Sequence, residues 1–76
     1  MRNMTNAETA AHLRKWSTAA HLTFAWPTDA CGYEQHMRFV GYRNLYWDAF
    51  KGTSDEFLAE YARRLEAGDF GPDPTP

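Results

Sequence analysis

Four side chains carry the ligand chemistry of a zinc site: His12, His21, His36 and Cys31. Their spacing fits no compact ligand pattern, since CxxC, HxxxH and HExxH are all missing. The expectation is three partly exposed histidines, a buried or loop thiol, and no metal. Cys31 and His36 are also the nearest thiol–imidazole pair, and a nucleophile needs such a base within hydrogen-bond reach. Closeness in sequence does not supply that reach, and small three-helix domains rarely enclose a ligand-sized pocket. Glu8, Asp48 and Glu56 could be recruited into carboxylate pairs, but a solvated surface carboxylate is the ordinary state of each. Gly32, Gly41 and Gly52 are isolated, so no phosphate-cradling loop is formed. No catalytic residue and no cofactor is expected, and the chain reads as a non-enzyme.

Arg38, Tyr42 and Arg43 lie along one segment and could contact phosphates or bases. Glu34 and Asp48 flank them, and no run of basic residues supports them. The formal net charge is −2. It is unevenly spread: residues 1–51 are slightly basic, whereas residues 52–76 hold only Arg63 and Arg64 against Asp55, Glu56, Glu60, Glu66, Asp69 and Asp73. Counterion release needs clustered Lys and Arg, so nucleic acid is a disfavoured partner. An acidic end suits a basic protein surface instead.

The chain has 76 residues, 43% of them hydrophobic and 16% aromatic. One domain is expected, because a chain this short does not build two cores. The single cysteine excludes an internal disulfide, which fits a reducing cytoplasm. The first residues, MRNMTNAETA, lack the apolar run of a signal peptide, and no stretch approaches the roughly 18 apolar residues that span a bilayer.

Thr5-Asn6-Ala7-Glu8 reads as a capping box opening a helix whose stripe is Ala10, Leu13, Trp16, Ala20 and Phe24. That helix is expected to reach about Thr18 and to end between Ala20 and Ala25, with a short strand around residues 20–26 as the alternative. Pro27–Gly32 reads as a loop. The segment from Tyr33 to Phe50 holds half of the chain's aromatics and reads as a second helix with two apolar stripes. Phe39, Tyr42, Leu45, Tyr46, Ala49 and Phe50 form one stripe; Tyr33, Met37, Val40 and Trp47 form the other. Such a helix is expected to sit centrally, with a neighbour on each side. Lys51-Gly52 should end it in left-handed geometry. Thr53-Ser54-Asp55-Glu56 is a second capping box, opening a helix with the stripe Phe57, Leu58, Tyr61, Ala62 and Leu65, which Gly68 stops.

The fold class expected is all-α, a small three-helix bundle over residues 1–67, with residues 68–76 an extended, frayed acidic tail rich in Pro and Gly. Tyr, Trp, Arg and Met are interface-prone, and the second helix is rich in all four. The expected function is therefore a soluble cytoplasmic interaction module. It would act stoichiometrically as an inhibitor or adaptor of another protein, or through its own homodimer, a role that suits small proteins of phages and mobile elements. Tyr33, Met37, Val40, Trp47, Trp26 and Arg43 are its candidate contact residues. The alternative is a small helical DNA-binding transcriptional regulator.

Overall fold

The structure is a computed structural model that describes residues 2–18 and 27–76. Three helices run in order, α1 Asn6–Thr18, α2 Tyr33–Tyr46 and α3 Ser54–Glu66, with 3₁₀ turns at Asp29–Cys31 and Trp47–Ala49. The fold is all-α, with no strand among the described residues. The strand alternative at residues 20–26 falls outside the described residues.

Both capping boxes form. The Thr5 hydroxyl accepts from the Glu8 N–H at 3.1 Å while Glu8 Oε1 accepts from the Thr5 N–H at 2.9 Å. The Thr53 hydroxyl and Glu56 do the same at 3.2 and 3.0 Å. At the far end of α3, Gly68 takes φ +85° and its N–H bonds the Leu65 carbonyl, while the Asp69 N–H bonds that of Arg64. These two bonds are a Schellman motif, which satisfies carbonyls that the end of the helix leaves without partners.

The central element is α3, not α2. Its Phe57, Leu58, Tyr61, Ala62 and Leu65 are all buried. Ala10 and Leu13 of α1 and Phe39 and Tyr42 of α2 complete the core against them. Trp16, Phe50 and Phe70 close its edges. Helix α1 packs along α3, and Arg14 pairs with Glu66 across that contact.

The second helix is shorter than its apolar periodicity implies. It stops at Tyr46, tightens into the 3₁₀ turn, and leaves Phe50 extended at φ −76°, ψ 127°. The tighter turn brings Trp47 and Phe50 together onto Phe57, at ring-centre distances of 5.2 Å each. Gly52 is consequently no left-handed helix stop: among the described residues only Gly32, Gly68 and Gly71 have positive φ. Leu45, Tyr46 and Ala49, expected in the core, are exposed.

The tail turns through residues 67–70, with the Gly71 N–H bonded back to the Gly68 carbonyl, and then docks, where an extended, frayed segment was expected. Phe70 stacks on Tyr61 at 5.0 Å. Beyond it, Asn6 Nδ2 donates to the Gly71 carbonyl, Arg38 Nη2 to that of Pro72 and Asn3 Nδ2 to that of Thr75. The Asp73 carboxylate accepts the Asn6 N–H at 2.7 Å, an anion at the start of α1 where the helix dipole favours one. Pro74 is buried beneath these contacts.

Two glycines should respond oppositely to alanine. Gly41 lies mid-helix with nothing near the place of a Cβ, so Gly41→Ala should raise stability by about 0.5–1 kcal/mol. Gly32 sits at φ 98°, ψ 164°, a region essentially reserved for glycine, and its Cβ would lie 2.3 Å from Asn3 Oδ1. Gly32→Ala should cost about 1–3 kcal/mol. Urea unfolding checks both, and equal effects would contradict the backbone described. The Tyr61 hydroxyl is buried with no partner among the described residues, so Tyr61→Phe should be neutral or stabilising by about 1 kcal/mol in the same assay. A loss above about 1 kcal/mol would show a hydrogen bond there.

Candidate interaction surface

The residues capable of chemistry are occupied structurally. His12 Nε2 donates to the Pro27 carbonyl at 2.7 Å. His36 Nδ1 lies 2.9 Å from the Thr28 hydroxyl and 3.5 Å from Asp29 Oδ1. Cys31 is fully buried, and burial pushes its thiol pKa up, away from the reactive thiolate. His21 lies outside the described residues, among which no three His, Cys, Asp or Glu side chains converge on a metal position. Glu8 and Glu56 serve the capping boxes, whose donors hold both carboxyls below the usual range. Arg38 donates to Asn6 Oδ1 at 3.1 Å as well as to the tail.

The candidate contact residues divide between two places. Helix α2 buries Gln35, Phe39 and Tyr42 at helical spacing, which turns Tyr33 and Met37 to the opposite side. Tyr33 is 74% and Met37 45% exposed; Val40, along the same side, and Arg43, about 100° around the helix from the Tyr33–Met37 line, are half-buried. Arg43 Nη2 donates to Asn44 Oδ1 at 3.2 Å. Trp47 leaves this line because it sits on the 3₁₀ turn, stacked beside Phe50 at 6.4 Å and 41% exposed. Trp26 lies outside the described residues.

Near Trp47 the structure forms a feature with no counterpart in the sequence reading, an open groove of about 590 Å³ between the end of α2 and the outer side of α3. Tyr42, Tyr46, Ala49 and Phe50 form its aromatic wall. The α3 wall is Glu56, Ala59, Glu60, Arg63 and Arg64. Tyr42 meets Tyr46 at 4.9 Å, and the Arg64 guanidinium lies 5.7 Å from the Tyr42 ring centre, a cation–π approach. Burial raises the Tyr42 pKa, with Arg64 opposing the rise. The signal that could have exposed the groove was the i, i+3, i+7 row Glu56, Ala59, Arg63 opposite the apolar stripe of α3. Leu45, 74% exposed, was also missed as a surface residue, because its spacing alone puts it with Tyr42.

Glu60 ties the α3 wall together. Its carboxylate accepts from Arg63 Nε and Nη2 at 3.1 and 2.7 Å and from Arg64 Nε at 3.1 Å. These bonds hold its pKa at about 2, against an ordinary 4.5. Because the folded value is the lower one, the stabilisation is present above the ordinary value and is lost as pH falls through about 2. An NMR titration should place the Glu60 midpoint near 2, and a midpoint near 4.5 would show that the two arginines do not hold it in solution.

No protein-family model, curated protein or solved structure matches this chain.

Proposed function

We propose that the protein is a small interaction module acting stoichiometrically, as an inhibitor or adaptor of a larger protein in the cytoplasm. The observation that carries this reading is the exposure of Tyr33 and Met37 on a helix whose opposite side is locked into the core. An aromatic and a thioether held on a rigid element bind with little further ordering cost, and both residue types are favoured at interfaces. Val40 extends that side and Arg43 flanks it, and the net charge of −2 favours a basic partner. No helix of the described residues is long and apolar enough to cross a membrane.

The alternative reading, a helical DNA-binding regulator, requires Arg38 and Arg43 to be presented together. The internal bonds of Arg38 to Asn6 and Pro72 weigh against it.

The test compares wild type with Tyr33→Ala/Met37→Ala as bait in the host lysate. The wild-type protein should retain one partner in stoichiometric amount, and the variant should lose at least about 90% of it, a change of about 1.4 kcal/mol or more. Both should unfold at the same temperature, since neither residue is in the core. Equal recovery would remove α2 from the interface. DNA binding with a steep salt dependence would overturn the reading altogether.

A further inference from the structure

We infer that the groove along α3 is the seam of a symmetric homodimer, in which the α3 helices of two copies pack antiparallel. The order of charges along the outer side of that helix supports this pairing. Glu56 stands at its acidic start and Arg63 seven residues later, near its basic end. At 1.5 Å per residue they are about 10 Å apart along the axis. Ala59 and Glu60 lie between them, and Ala59 is small and exposed.

A two-fold axis passing between Ala59 and Glu60 sets Glu56 opposite Arg63 of the second copy, and Arg63 opposite its Glu56. One patch thereby supplies both halves of its own complement, which is the requirement for an isologous contact. A uniformly basic partner would meet Arg63 and Arg64 with like charge, and a uniformly acidic one would do so at Glu56. A second copy in reversed direction meets each with its opposite.

Bonding capacity remains for these pairs. Glu56 uses Oε1 for Thr53, leaving Oε2, and Arg63 uses Nε and Nη2 for Glu60, leaving Nη1. Ala59 at the crossing lets the helix axes come close. The aromatic wall supplies apolar area beside the charges, with Tyr46 47% exposed and Phe50 half-buried. The Tyr33–Met37 side of α2 stays outside the seam, so this inference and the proposed function stand or fall separately.

Sedimentation equilibrium on the full chain should show a mass rising from 8.8 kDa toward twice that value as concentration increases to about 1 mM. Arg63→Glu sets Glu against Glu at both pairs and should weaken association at least tenfold. The swap Glu56→Arg/Arg63→Glu should return it to within about threefold of wild type. Circular dichroism confirms that each variant is folded. Ala59→Cys provides a test independent of the charges: on mild oxidation it should cross-link into a covalent dimer far faster than Ala67→Cys, because a disulfide needs Cα atoms within about 7 Å. A wild-type chain that stays monomeric at about 1 mM overturns the inference. So does a folded charge swap that fails to recover, or cross-linking no faster at position 59 than at 67.

Discussion

The burial of the Tyr61 ring is the contact on which the remaining elements converge. It lies at the middle of α3, meeting Phe39 edge-on at 5.3 Å, Tyr42 at 5.1 Å and the tail's Phe70 in a stack at 5.0 Å. Helix α1 adds Ala10 and Leu13 to the same core. A single residue thus joins α2, α3 and the C-terminal segment. In a chain of 76 residues the net stability is a small difference between large terms, so the area that this shared aromatic buries is a sizeable part of it. Phe57 repeats the arrangement one turn earlier, joining Tyr42, Trp47 and Phe50.

That arrangement determines what is left at the surface. Among the described residues α3 occupies the centre, α2 buries Gln35, Phe39 and Tyr42 on one side, and Tyr33 and Met37 of its second stripe stay exposed. The 3₁₀ turn follows from the same geometry. A continuous helix through Phe50 would carry Trp47 and Phe50 around the helix axis, whereas the turn directs both rings at Phe57. The turn therefore gives up regular helix to gain aromatic packing, and the groove between it and α3 results from the change of direction.

The parts of the fold legible in the sequence are those with local causes. The capping boxes at Thr5 and Thr53, the α3 stripe and the Gly68 stop each depend on residues within one or two turns, and all form as read. What escaped depends on contacts distant in sequence. Asn3 accepts the Glu34 N–H at the start of α2, and a Cβ at Gly32 would lie 2.6 Å from its Cα. Asp73 caps α1 from the other end of the chain. Nothing beside Asp73 in the sequence marks it as a cap, so a Pro- and Gly-rich tail reads as frayed. The central position of α3 escaped for a related reason: two apolar stripes show that α2 could be covered twice, not that it is. The exposure of Tyr33 and Met37 has a local cause, their place opposite a buried helical stripe, but the two-stripe pattern left open whether that side would be covered. The groove was not, since its two walls come from different helices.

The charges on α3 serve two roles that use the same order of residues. Asp55 and Glu56 at its start and Arg63 and Arg64 at its end complement the helix dipole, so the gradient stabilises the helix whether or not anything binds it. A helix built this way is also electrostatically complementary to its own reversed copy. Dipole complementarity alone would be satisfied with charges on any side of the first and last turns. Here Glu56 and Arg63 lie in one row with Ala59 between them, beside exposed aromatic surface, and Arg63 pairs with Glu60 on its own helix. The groove therefore combines a cation, an anion about two turns away, and apolar wall between α2 and α3, an arrangement complementary to a reversed copy of the helix.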